Sequence, residues 1–433
     1  MTKSIREPDR RKIMREIKRI GTERIDEYME IYFNSYPAYK TLDDECRAYY
    51  RDKTIRDMER GRDVEFFGCF EDGILAATMK IVDFDINLFG EMRKTKGLMA
   101  LGVHPLYKKR KIALDMVNYF EDYTTDSGYA MAVLLPFNMK FYHDMGYGYG
   151  SKMDEYRVPT TSLPKAESLD GLRFLTGDEK GEVLACFRRF VEAGHGQLMK
   201  FSEEIVAMNA DEVTKYIGCF DGDRLAGYLA YRFENASDVN YTLNRIVVDE
   251  MIYESGAVLK KLLGFLRLQA DQVQTVVLRT GDPDFYHVLE DSADISGNYI
   301  PFGYLQTNVS AVGVMQKIID PDRFLEQTAH RKIPACRGRL TAEFAYKYEL
   351  VSGMNWITIA FEDGGWKIDD SGKRADIQIS LRLRDLSSIL MGSMRVGSAV
   401  RLGIAQVTKG ADRLAELDSY LTPEQRPFGN SDF

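Results

Sequence analysis

Four consecutive cations, Lys108, Lys109, Arg110 and Lys111, stand in the stretch HPLYKKRKIALDMVNYFED, residues 104–122, where apolar spacing predicts the start of a helix. A helix N-terminus already carries about half a positive charge, so cations placed there ask for an anion from outside the chain. The contrast is sharp because the chain is acidic, with a net charge of −8. On its own a KKRK run is an ordinary solvated basic turn. Its setting, between a strand with Pro105 and an amphipathic helix, argues for anion binding. A second candidate is Tyr142 in FNMKFYHDMGYG, residues 137–148, since a phenol of pKa about 10 can deliver a proton to a weaker acid's conjugate base. Other chemistries lack their signatures: there is no GxSxG, GxxxxGK[ST] or HExxH. The five histidines lie too far apart in sequence for a metal site, so no metal is expected, and His104 and His143 read as structural. GYGYG at 146–150 does not join a strand to a helix and is no dinucleotide fingerprint.

The elements that must position these residues come in two copies. FFGCFEDGILAATMKI at 66–81 and YIGCFDGDRLAGYLAY at 216–231 share Gly-Cys-Phe, 150 residues apart, and each reads as a strand, an acidic glycine turn and a strand. In the first copy Gly97–Val103 is an apolar strand and Ile112–Tyr123 an amphipathic helix. Tyr129–Leu135 is the next strand. In the second copy the counterparts are Thr242–Val248, Ala257–Gln269 and Gln274–Arg279. Gly102, inside an apolar strand, predicts a bulge. Where the first copy has its basic loop, the second has Asp249-Glu250-Met251-Ile252-Tyr253-Glu254, which would repel an anion. One active copy and one scaffold copy follow. A Pro/Thr/Ser linker, Val158–Pro164, separates them. A third, α+β region follows Tyr299–Tyr304, with strands expected at Trp356–Phe361 and Asp376–Leu383 and helices at Asp320–Gln327 and Leu386–Met391.

Hydrophobic content of 45% and charged content of 29% describe a folded chain, and 433 residues call for two or three domains. No apolar run is long enough to span a membrane, and the charged N-terminus has no signal core. Five scattered cysteines without a CxxC pair suit reduced thiols. The expected location is therefore cytoplasmic. The acidic balance argues against nucleic acid and suits a cationic small molecule.

Strand, Val103-His104-Pro105, basic loop and helix together resemble the coenzyme A site of the GNAT acetyltransferase superfamily. Its R/Q-x-x-G-x-G/A pattern falls on Lys108-Lys109-Arg110-Lys111-Ile112-Ala113, with Lys111 where glycine is usual. There Lys111 is expected to donate its N–H in helical geometry. Asn138-x-x-Phe141-Tyr142-x-x-x-Gly146-Tyr147 resembles the ending of these enzymes. Acetylating an amine requires an oxyanion donor, a base for the ammonium and an acid for the leaving thiolate. A backbone N–H around Leu101–Val103 suits the first. Tyr142 suits the third, since a thiol's pKa of about 8.5 is below its own.

The order of GNAT copy, degenerate copy and α+β domain resembles the Eis family of N-acetyltransferases over nearly the whole chain. Residues 376–433 look like that family's sterol-carrier-protein-like domain, especially LRDLSSILMG and the closing PFGNSDF. The resemblance implies tandem GNAT folds, α/β in class, followed by a sterol-carrier-protein-like α+β domain, with boundaries at 1–158, 159–300 and 301–433. It implies acetyl-CoA as co-substrate, a primary amine (aminoglycosides in some members) as acceptor, and a homohexamer. It places the coenzyme on Leu101, Gly102, Val103, Lys109, Arg110, Lys111, Ile112, Ala113, Leu114, Phe137 and Asn138. It makes Tyr142 the general acid and the terminal carboxylate of Phe433 the general base. Aromatic residues at 428 and 433 in the tail suit docking better than solvent. A competing reading is a non-catalytic carrier of a lipid or apolar ligand with inert GNAT copies.

Overall fold

The computed structural model describes residues 15–36, 43–295, 297, 300, 303–335, 338–349 and 353–429. Phe433 therefore lies outside the described residues, as does Cys336. The chain divides into two compact units, one made of residues 1–83 and 96–132, the other of 84–95 and 133–433.

The first unit is built on antiparallel strands. Arg15–Arg19 pairs with Val64–Glu71, which pairs with the strand Ile74–Leu88 through a two-residue turn. The turn residues Asp72 and Gly73 both have positive φ, 51° and 83°, the geometry that short hairpins of right-twisted strands need. The strand Glu91–Val103 follows. Three α-helices belong to the unit among the described residues. Asp44–Arg60 starts where the Asp43 carboxylate accepts the Cys46 N–H at 2.7 Å and stops at left-handed Gly61. Ile25–Ser35 precedes it. Ile112–Asp126 buries Ile112, Met116, Val117, Phe120 and Thr124, the one-sided spacing read from the sequence.

The second unit contains a seven-stranded sheet in the order Val309–Val312, Lys152–Pro159, Val273–Thr280, Asn244–Tyr253, Arg224–Asn235, Lys215–Asp221, Leu172–Phe174. Asn244–Tyr253 and Val273–Thr280 run parallel, joined by the helix Gly256–Arg267, whose Leu262, Leu263 and Leu266 are wholly buried in the core. A five-stranded sheet follows in the order Gly365–Ile368, Asn355–Glu362, Leu340–Lys347, Ile377–Arg382, Gln406–Lys409. Helices Leu383–Leu390, Val396–Arg401 and Leu414–Leu421 belong to the same region. The α/β copies and the α+β region read from the sequence are thus present. Pairing does not break at residues 158 or 300, however. Lys152–Pro159 is an inner strand of the seven-stranded sheet, and Met315–Ile318 pairs with Gly148–Tyr149. Strand edges seek partners irrespective of sequence boundaries.

Among the described residues no helix is long and apolar enough to cross a membrane. Among the described residues Cys69, Cys186 and Cys219 are free thiols, and burial pushes Cys69 and Cys186 up to about 11.

Candidate active site

In the first unit the helix Ile112–Asp126 begins without any side-chain cap. Lys111 is its N-cap, and the Lys111 carbonyl accepts the first helical bond, from Asp115, at 3.1 Å. The N–H groups of Ile112, Ala113 and Leu114 lie in the first turn, where the helix supplies no internal acceptor. Lys108, Lys109, Arg110 and Lys111 are all exposed. Arg110 is not free: its guanidinium pairs with Glu71 at 2.5 Å and lies 4.8 Å from the Tyr107 ring centroid. Arg15 completes a bridge by pairing with both Glu71 and Asp115 and donating to the Arg110 carbonyl. Burial disfavours the Glu71 carboxylate, yet the hydrogen bonds from Arg110 and Arg15 outweigh it and hold its pKa below the ordinary value. Among the described residues no ion pair reaches Lys108, Lys109 or Lys111. Three cations and an uncapped helix start therefore fit a phosphate-bearing ligand.

Lys111 does not sit in helical geometry as expected. Its φ is 65° and ψ 14°, in the left-handed region, and Lys109 is left-handed too, with φ 66°. The position calls for glycine because the loop must turn back to aim its N–H groups at one point. Placing lysine there costs about 1–2 kcal/mol of backbone strain. Lys111→Gly should relieve it, minus the roughly 0.5–1 kcal/mol by which glycine favours the unfolded chain. Thermal unfolding should show Lys111→Gly more stable than Lys111→Ala, which removes the same side chain and keeps the strain. Equal midpoints would mean that the loop is not strained at this residue.

At the strand end where a bulge was expected at Gly102, the unusual backbone lies two residues earlier. The left-handed residue is Ala100, with φ 49°. Gly102 serves close packing instead: a Cβ there would stand 2.7 Å from Ser35 Oγ and 3.1 Å from Ile31 Cγ2. The Leu101 carbonyl accepts the Tyr36 hydroxyl at 3.2 Å. His104 is structural, its Nδ1 accepting the Leu106 N–H at 3.3 Å.

The equivalent helix start in the second unit is closed. The strand Asn244–Tyr253 continues through Asp249 and Glu250, with its pairing register shifting at Asp249, and leaves no loop there; the Ser255 hydroxyl accepts the Val258 N–H at 3.3 Å. The helix caps itself where the first copy leaves its donors open. The acidic residues are committed to neighbours: Asp249 to Arg232, Glu250 to Lys200, and Glu254 to Arg189 and Arg224.

Tyr142 lies in the second unit, on the short helix Met139–His143. The helix starts where Asn138 Oδ1 accepts the Phe141 N–H at 3.1 Å. The Tyr142 ring is 3% exposed and meets Phe141, Phe137 and Tyr147 edge-on at 5.0, 6.0 and 6.0 Å. Phe137 itself is 70% exposed. His143 stacks on Tyr149 at 4.9 Å and its pKa is lowered, first by burial and then by Arg384.

The same unit holds a cavity of about 830 Å³. Its lining includes Asp282, Asp284, Glu424, His195, Phe428 and Gly429. The tail is seated there. The Phe428 N–H donates to the His195 carbonyl at 3.1 Å, and its ring meets Phe190 edge-on at 6.5 Å. A Cβ on Gly281 would lie 1.7 Å from Phe428 Cδ2, and one on Gly196 2.4 Å from Pro427 Cβ. Only glycine leaves room for this tail. His195 is neutral: burial pushes it down to about 4, Nε2 donates to the Met391 carbonyl at 2.9 Å and Nδ1 accepts the Phe89 N–H at 3.1 Å.

Residues 16–150 match the acetyltransferase (GNAT) domain family, and residues 200–303 match a second family of the same description. The chain carries two GNAT acetyltransferase domains. That bears out the expectation of an N-acetyltransferase enzyme with tandem GNAT folds. Solved structures similar to it include a GCN5-related N-acetyltransferase from Kribbella flavida, 18% identical with a TM-score of 0.74, covering 97% of this chain and 99% of that one. Another, from Anabaena variabilis, is 13% identical with a TM-score of 0.78, covering 97% and 100%. Eis1 from Mycobacterium abscessus is 15% identical with a TM-score of 0.74, again covering 97% and 100%. At these identities the likeness is one of fold. No curated protein matches the chain.

Within the first GNAT domain the structure brings Lys109, Arg110, Lys111, Ile112, Ala113 and Leu114 together at one helix start, with Leu101, Gly102 and Val103 on the strand leading to it. Phe137, Asn138 and Tyr142 sit together on the other unit, and none of the three lines the cavity. Sequence reading missed Glu71, Arg15, Gly196 and Gly281. Their partners are distant along the chain, and no local spacing marks them.

Proposed function

We propose that this protein is an acetyl-CoA-dependent N-acetyltransferase that uses only its first GNAT domain for the coenzyme and acetylates a primary amine of a cationic small molecule. The observation that carries the proposal is the uncapped helix start at Lys111, in an exposed loop whose Lys108, Lys109 and Lys111 meet no ion pair among the described residues, against the self-capped start at Ser255 in the second domain.

Acetyl-CoA supplies the activated acetyl thioester. The first-turn N–H groups of Ile112, Ala113 and Leu114, with Lys108, Lys109 and Lys111, would hold its pyrophosphate. Arg110, braced by Glu71, keeps the loop in shape more than it binds. Backbone N–H groups at Leu101–Val103 serve the developing oxyanion, and Tyr142 gives its proton to the departing thiolate. The terminal carboxylate of Phe433 removes a proton from the acceptor ammonium; the seated tail and the carboxylates of the neighbouring cavity support this part. Phe137 and Asn138 complete the coenzyme contacts. In the same reading the chain has the Eis organisation, with domains at 1–158, 159–300 and 301–433, the third of sterol-carrier type, and acts in the cytoplasm as a homohexamer. Full-length overlap with Eis1 supports that organisation.

Isothermal titration with acetyl-CoA should give one site per chain. Lys108→Glu combined with Lys109→Glu should weaken binding by more than tenfold, since neither lysine has an ion pair among the described residues and the new charges oppose the phosphates. Two sites per chain, or unchanged affinity, would overturn the assignment of the coenzyme to the first domain alone.

A further inference from the structure

Two cations, one buried and one half-buried, grip the backbone just after Tyr142. Arg384 Nη1 donates to the His143 carbonyl at 3.2 Å, and Lys317 Nζ donates to the Met145 carbonyl at 3.0 Å. The Tyr142 carbonyl, next in the chain before them, accepts the N–H groups of Met145 and Tyr147 at 3.0 and 3.1 Å. Lys317 is 6% exposed, and the Arg384 side chain 17%. Glu349, its side chain 3% exposed, braces them: Oε1 lies 3.8 Å from Arg384 Nε and accepts the Arg384 N–H at 3.4 Å.

The loop is fitted to this cluster. Gly146 has a φ of 95°, and a Cβ on it would stand 2.7 Å from Glu349 Oε2 and 3.2 Å from Lys317 Cε. At Gly148 a Cβ would lie 2.3 Å from the Arg384 carbonyl. Further along, the Tyr149 carbonyl accepts the hydroxyls of Ser388 and Ser393 at 3.1 and 2.7 Å. Burying a cation is costly unless it meets charge or several acceptors. Here a buried lysine and a half-buried arginine, the latter braced by one carboxylate, donate to carbonyls at and just past the end of a five-residue helix, a place that water could serve. Precise placement of what the helix carries is what the arrangement gains.

Resting on the assignment of Tyr142 as general acid, we propose that Arg384 and Lys317, braced by Glu349, are positioning residues that fix the Tyr142 hydroxyl. The C-terminal region then takes part in acetyl transfer by holding the acid of a preceding domain. A proton donor tolerates only about 0.5 Å of misplacement, which loss of either grip exceeds.

The test uses the full-length chain. Arg384→Met and Lys317→Met should each lower kcat by about 10–100-fold while KM for acetyl-CoA stays within about twofold. Arg384→Lys should recover part of the loss. In a Tyr142→Phe background, Arg384→Met should lower kcat no further, since the group it positions is gone. An unchanged kcat in the single variants, or an equal further loss in the Tyr142→Phe background, refutes positioning. Wild-type turnover in Tyr142→Phe alone would instead remove the acid assignment, and with it this role. If Arg384→Met does not fold, Lys317→Met and Glu349→Gln read the same quantities.

Discussion

Tyr142→Phe should lower kcat by roughly 10²–10⁴ and leave acetyl-CoA binding nearly unchanged, the scale expected when a general acid is lost. The substitution is clean because the ring is held by Phe137, Phe141 and Tyr147 on edge contacts that phenylalanine keeps. Folding stability should fall by no more than about 1–2 kcal/mol, the cost of one buried hydroxyl. Steady-state kinetics with a thiol-release assay, beside a titration with acetyl-CoA, separates chemistry from binding. Turnover near wild type would make Tyr142 a packing residue.

Extending the chain beyond Phe433, or deleting Phe433, should reduce amine acetylation by a comparable factor. An extension converts the proposed base to a neutral amide. Deletion leaves a carboxylate on Asp432 but draws it back by up to about 3.5 Å. That exceeds a general base's hydrogen-bond reach of about 2.6–3.2 Å. Neither change touches the seat at Gly196 and Gly281, where Pro427 and Phe428 are held, so the fold and coenzyme binding should persist. The measurement is turnover of a panel of amines by chains with and without the alteration, with acetyl-CoA titration as control. Full activity in the extended chain would remove the carboxylate from the mechanism. A non-catalytic carrier would show no turnover in any form.

Much of this was legible along the chain because it is written in short-range chemistry. Asp72-Gly73 and Gly222-Asp223 are turn pairs, and both close two-residue hairpins. Apolar spacing placed the helices Ile112–Asp126 and Gly256–Arg267 to within a few residues. The expected helix Asp320–Gln327 is found as Pro321–Gln327, capped by Asp320. The basic loop and the aromatic tail were conspicuous because cations at a helix start and a phenylalanine near a terminus run against local preference. Ser255 could have been identified as a cap by its type and place.

What the sequence could not decide was which groups each of these residues would meet. Four cations in a row look equivalent, yet Arg110 is taken by Glu71, 39 residues away, and the three lysines are left. Gly102 looked like the interruption in its strand. The interruption falls on Ala100, and the closeness of Ser35 explains the glycine. Asp249 and Glu250 looked like a repulsive loop but are strand residues neutralised by Arg232 and Lys200. The Tyr142 motif was visible, whereas its grip by Lys317 and Arg384, more than 170 and 240 residues from the carbonyls they hold, was not. The physical reason is common to all four. Periodicity and turn chemistry are properties of neighbours along the chain, while the partner of a charge and the room around a backbone are set by segments that meet only when the sheets close.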